Sequence, residues 1–110
     1  MFLRFFYFKY VEKIGEEVNN LKVSEVSIEL VENHSGLLGF TNFVINDDFK
    51  ICNVAIYSCL TSPVGIRLVF PVKEYKGTQL KTVYPIHQAS YEAIAEAVSN
   101  AHKELMAKFR

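Results

Sequence analysis

The chain has 110 residues, half of them hydrophobic and 14% aromatic, which suffices for one domain with a modest core and argues against disorder. Twelve basic and twelve acidic residues cancel, so no global field singles out a nucleic-acid or membrane partner. The balance is uneven along the chain: from Leu21 to Leu60 two lysines face five acids, whereas from Thr61 to Lys81 Arg67, Lys73, Lys76 and Lys81 face only Glu74.

The opening "MFLRFFYFKY" is apolar but broken by Arg4 and Lys9, is too short to span a bilayer and has no small-residue cleavage site. The stretch "EEVNNL" reads back into codons as GAG-GAG-GTG, a ribosome-binding sequence, followed by an A-rich spacer and Leu21 as a TTG start. Residues 1–20 are therefore expected to be an upstream extension and 21–110 the domain proper. The competing reading is an amphipathic N-terminal helix with Phe6, Tyr10, Val11, Ile14 and Val18 on one side.

Val26, Ile28 and Leu30 alternate with Ser27, Glu29 and Val31, the mark of a strand with one face in the core. "ENHSG" predicts a turn with Gly36 at positive φ, and "LLGFTNFVI" a second strand in which Gly39 signals a bulge or a close backbone approach. "NDD" predicts a tight turn into a third strand, "FKICNVAIY". "LTSPVG" breaks the run, "IRLVF" is a fourth strand ended by Pro71, "VKEYKGT" reads as a polar loop, and "QLKTVY" as a fifth strand with Leu80, Thr82 and Tyr84 facing one way. Beyond "YPIHQA" the period changes. Ile94, Ala97, Val98, Ala101, Leu105 and Phe109 define one face of a C-terminal helix, with Ser90 as its N-cap and Glu92 near its positive end. Strands followed by one helix make an α+β plan: an antiparallel sheet of about five strands and a C-terminal amphipathic helix.

The third strand poses a question. In strict alternation Phe49, Ile51, Asn53, Ala55 and Tyr57 fall on one face and Lys50, Cys52, Val54 and Ile56 on the other, so both faces are partly apolar. One helix covers one face only. The economical expectation is a homodimer associating through strands, with Ile51, Asn53, Val54, Ile56, Leu68 and Phe70 at the contact and Asn53 fixing register there.

Several stretches, in order, resemble one family. "VSEVSIELV" is similar to its opening V-x-x-V-x-I-x-x-V. "NDDFKICNVAIY" resembles D-x-x-F-V-V-x-(D/N)-I-x-V at Asp47 or Asp48, Phe49, Ile51, Asn53, Val54 and Ile56. "GIRLVFP" resembles G-L-F-V-x-M-P at Gly65, Ile66 and Pro71, and "YPI" stands where the family has H-P-I. This is the pattern of the SpoVG family (stage V sporulation protein G), over about residues 21–105. The resemblance implies a small cytoplasmic bacterial regulator tied to septation and sporulation, homodimeric, binding DNA or RNA, with no enzymatic activity and no cofactor. The chain departs from the family where its helix begins. The stretch N-S-x-T-R-x-K-I is here "HQASYEAI", with Tyr91 and Ala93 in place of the two cations, and Tyr84 replaces the histidine before proline.

Arg67, Lys73, Lys76 and Lys81, with Tyr75 and His87, form the candidate nucleic-acid surface: cations neutralise phosphates and Tyr75 can stack on an unpaired base. The competing reading is a solvated hairpin whose lysines keep a sheet edge soluble. Asp47 and Asp48 read as turn residues, and His34, His87 and His102 have no ligand spacing. Cys52 and Cys59 read as reduced thiols packed as small hydrophobes, without a C-x-x-C or a disulfide partner pattern. No nucleophile elbow, Gly-rich phosphate loop or paired carboxylates at helical spacing points to an enzyme, a metal or a small-molecule substrate. A module of the same fold that has lost nucleic-acid binding and acts through protein contacts is the alternative, and no membrane partner is expected.

Overall fold

The computed structural model describes residues 6–9 and 21–108. Among the described residues seven strands precede one helix: β1 (Phe6–Lys9), β2 (Val23–His34), β3 (Leu37–Ile45), β4 (Phe49–Ser58), β5 (Ile66–Val69), β6 (Val72–Tyr75), β7 (Thr78–Lys81) and α1 (Gln88–Lys108). The first five form an antiparallel meander in sequence order, and β6 and β7 form a separate two-stranded ribbon. The α+β plan with a closing helix is present. Phe6–Lys9 pair with Val26–Glu29 as an edge strand, which excludes a helix there; Tyr10, Val11, Ile14 and Val18 lie outside the described residues.

Turns are built from residues that tolerate positive φ. Ser35 (58°) and Gly36 (87°) join β2 to β3, and Asn46 (52°) and Asp47 (59°) join β3 to β4. His34 thus ends β2 instead of sitting in the turn. The "NDD" turn is tied down from outside. Asn46 N donates to Lys22 O (2.8 Å), Lys22 N donates to Asn46 Oδ1 (2.7 Å), and Lys22 Nζ pairs with Asp47 Oδ2 (2.8 Å).

The two-sided apolarity of β4 has a local cause. Thr41 pairs with Val54, but Phe43 pairs with Ile51, so one residue of β3 faces two of β4. Asn53, at φ 62°, is the extra residue of this bulge. Passing it reverses the phase of the strand, which puts Ile51, Val54 and Ile56 on one face. A second bulge at Glu25 (φ 51°) does the same for Val23 and Val26 in β2. The sheet therefore has one core face, carrying Val26, Ile28, Phe43, Val54, Ile56, Ile66 and Leu68, all buried.

Helix α1 covers that face, packing on β2 and β5. It buries Ala93, Ile94, Ala95, Ala97, Val98, Ser99, Ala101 and Leu105, and the alanines allow close approach to the strands. Each large side chain fully buried here, such as Ile28, Phe43 or Ile56, contributes about 1.5–3 kcal/mol. Ser99 Oγ donates to Val64 O (3.0 Å), tethering the helix to the loop before β5. The helix begins at Gln88, so Ser90 lies inside its first turn and is not the N-cap; Tyr91 N donates to His87 O (3.1 Å), which makes His87 the capping position. Among the described residues no helix is long and apolar enough to cross a membrane.

Candidate nucleic-acid interface

After β5 the chain turns at Phe70–Pro71 and leaves the sheet, since proline has no N–H to continue the ladder. The segment expected to be a loop is strand β6, and β7 pairs with it instead of extending the main sheet. The signal lay in "KG": Lys76 (φ 51°) and Gly77 (φ 80°) are both left-handed, as a two-residue hairpin turn requires. Thr82 Oγ1 donates to Pro71 O (3.1 Å) and closes the base of the ribbon, so Thr82 and Tyr84 lie beyond β7.

All eight ribbon residues are exposed. The register pairs Val72 with Lys81, Lys73 with Leu80, Glu74 with Gln79 and Tyr75 with Thr78. Alternation therefore puts Lys73, Tyr75 and Leu80 on one face and Val72, Glu74 and Lys81 on the other, with Lys76 at the tip. The six sequence-predicted residues divide accordingly. Arg67, Lys81 and His87 line a single groove of about 490 Å³, together with Val69, Tyr84 and Tyr91. Lys73, Tyr75 and Lys76 lie along the ribbon outside it.

Each of three cations rests on a tyrosine ring. Arg67 Cζ lies 5.2 Å from the Tyr57 centroid, Lys81 Nζ 4.8 Å from Tyr84, and Lys76 Nζ 5.3 Å from Tyr75. These pairs hold the cations next to flat, stackable surfaces. Sequence reasoning named Tyr75 but missed Tyr57 and Tyr84 as partners; Tyr84 was recognisable three residues from Lys81, whereas Tyr57 meets Arg67 only through the β4–β5 pairing.

The two positions where the resembled family carries cations have structural uses here. The Tyr91 hydroxyl accepts a hydrogen bond from Leu68 N (3.0 Å), satisfying a donor on the outer edge of β5. Ala93 is buried beneath the helix.

The residues expected at a dimer contact divide between the core, the bulge and a second groove. Val54, Ile56 and Leu68 are buried under α1 within the single chain. Asn53 is exposed at the bulge, not enclosed in an apolar strand, and its backbone N donates to Asn42 Oδ1. Ile51 and Phe70 are half-buried and line a second groove of about 380 Å³, largely apolar, with Phe43 and Ile94 at its floor and Phe49 (70% exposed) and Ile86 (78% exposed) at its rim.

Cys52 is exposed rather than packed, and Cys59 is half-buried; both are free thiols. A hydrogen bond with the Thr61 hydroxyl (3.4 Å), helped by nearby backbone amides and the charge of Arg67, holds the Cys59 thiol below its ordinary range. Among the described residues no three histidine, cysteine or acidic side chains are grouped closely enough to hold a metal ion.

Comparison with models of protein families, with curated sequences and with solved structures finds no match.

Proposed function

We propose that this chain is a SpoVG-like, non-enzymatic regulator that binds DNA or RNA, acts as a cytoplasmic homodimer, and serves septation or sporulation as that family resemblance implies. The observation that carries the reading is the groove in which Arg67, Lys81 and His87 meet Tyr84 beside the start of α1. Phosphate contacts supply most of the sequence-independent affinity of such proteins, and aromatic faces beside the cations suit exposed bases. The ribbon adds Lys73 and Lys76 outside the groove, on the same exposed hairpin as Lys81. The homodimer contact, with the family's strand association displaced from the buried core, is assigned to the apolar groove rimmed by Phe49 and Ile86.

Fluorescence anisotropy of the full chain with labelled RNA and duplex DNA, from low to physiological salt, tests the reading. Binding that weakens steeply with salt and is lost in Lys73→Ala/Lys76→Ala/Lys81→Ala supports it. An affinity that ignores both salt and these substitutions sinks it.

A second reading has its own support. With Tyr91 engaged by β5 and Ala93 buried, the family's helix cations have no counterpart, while the groove at Phe49 and Ile86 exposes apolar surface. A protein-interaction module of the same fold fits both facts. Absence of nucleic-acid binding at low salt, with Phe49→Ser releasing a copurifying partner, would favour it.

A further inference from the structure

The face of the sheet opposite α1 carries a second, unexpected arrangement. Because paired residues on neighbouring strands point the same way, the registers Glu29–Phe40–Ala55–Val69 and Leu37–Tyr57–Arg67 define adjacent rows on this face, where Phe40, Ala55 and Tyr57 are half-buried and Arg67 and Val69 exposed. Among the described elements none packs against it, since α1 lies on the other side. Phe40 on β3 and Tyr57 on β4 are diagonal neighbours, about 7–8 Å apart by strand geometry. Arg67 on the edge strand lies against the Tyr57 ring, and Arg67 and Val69 also line the groove that holds Lys81 and Tyr84.

We propose that this open face is a stacking platform for single-stranded nucleic acid, with Phe40 and Tyr57 each receiving one unpaired base, Arg67 neutralising the phosphate between them and the groove, and the strand running on to Lys81 and Tyr84. The inference rests on the nucleic-acid reading above and narrows it to single strands. An antiparallel sheet with a helix behind it and aromatic side chains on its central strands is a geometry that accepts two or three splayed bases. A duplex keeps its bases stacked inside and cannot use these rings. The charge fits a polyanion: Arg67 and Lys50 lie on this face. A second copy of the chain is the poorer occupant, because sheet-on-sheet packing would have to enclose Arg67, Lys50, Glu29, Asn42 and Ser27 along with the rings.

The test uses the full chain and a fluorescein-labelled, mixed-sequence RNA of about twelve nucleotides, alone and annealed to its complement. The expected result is that the single strand binds at least about tenfold more tightly than the duplex. Tyr57→Leu and, separately, Phe40→Leu should weaken single-strand binding by about fivefold or more, the loss of one stacked base, while Tyr57→Phe retains it and weak duplex binding is unchanged. Circular dichroism and melting confirm that each variant folds, and sedimentation without RNA gives its oligomeric state. Single-strand affinity within twofold of wild type in both folded leucine variants overturns the platform. If duplex binds as well as single strand and is lost with Lys81→Ala, the platform falls while the wider nucleic-acid reading stands. No binding of either form overturns both. A wild-type dimer that Tyr57→Leu converts to monomer identifies a second copy as the occupant and also overturns the proposal.

Discussion

The side-chain oxygen of Asn42 accepts a hydrogen bond from the backbone N–H of Asn53 at 2.8 Å, across one of the two places where β3 and β4 fall out of step. The bond satisfies the donor that the bulge removes from the ladder, and Asn53 is among the few residue types that accept φ 62° at small cost. The consequence extends along the strand: with the bulge in place Ile51, Val54 and Ile56 share the core, and without it one or two of them would turn to solvent. Asn53→Val should destabilise the domain by about 2 kcal/mol, because a β-branched residue is strained at positive φ, whereas Asn53→Gly should stay within about 0.5 kcal/mol of wild type. Urea denaturation gives both values. If Asn53→Val is as stable as wild type, the bulge does not hold the register.

The coarse plan was legible because its signals are local. Period-2 alternation in "VSIELV" and "IRLV", the turn residues of "HSG" and "NDD", and the steps from Ile94 to Leu105 each identify an element without long-range information. The open questions of the sequence were those in which distant residues decide. A bulge reverses strand phase, and strict alternation across Asn53 turned one apolar face into two, which made Val54, Ile56 and Leu68 look like a dimer surface. The ribbon was misread because "VKEY" carries one charged residue on each face and has no core to give it a period. Arg67 and Lys81 were named from charge alone; their meeting with His87 in one groove depends on where α1 starts, and the Tyr57–Arg67 contact on strand pairing.

Gly39 is fixed by a close approach. A Cβ built there would lie 2.4 Å from the backbone oxygen of Glu29 on the paired strand, and a backbone atom in a ladder cannot rotate away. Gly39→Ala must push β2 from β3 at the centre of the sheet. A loss of about 3 kcal/mol is expected, at the upper end of ordinary overpacking. A melting temperature unchanged from wild type would show that the two strands are free to separate locally.

The Tyr91 hydroxyl joins helix and sheet through Leu68 N, so Tyr91→Phe removes an acceptor while keeping the ring. The expected cost is about 1 kcal/mol, the loss of one partly buried hydrogen bond. Amide hydrogen exchange reads the effect at its source: the Leu68 amide should exchange faster in the variant, with the β4 amides of Val54 and Ile56 little changed. Introducing a cation by Tyr91→Arg should cost at least as much stability, because it removes the same acceptor. The two variants together separate the structural use of this position from any gain in nucleic-acid affinity that the new cation brings.

His102, half-buried on α1, is a histidine whose titration folding should disturb. Burial disfavours the imidazolium, so the folded protein binds this proton less readily than a free histidine side chain, whose ordinary pKa is 6.5. Above pH 6.5 both folded and unfolded chains carry a neutral ring, and the contribution to stability is fully present. As pH falls below 6.5, the unfolded chain takes up the proton first, so stability declines until the lower folded value is passed. The wild-type melting temperature should therefore drop between neutral pH and the acid side of 6.5 more than that of His102→Gln, and the difference between the two curves isolates this group from the carboxylates. Parallel curves for the two proteins across that window would mean that the ring is solvated in both states, and that α1 packs less closely around residue 102 than its half-buried position indicates.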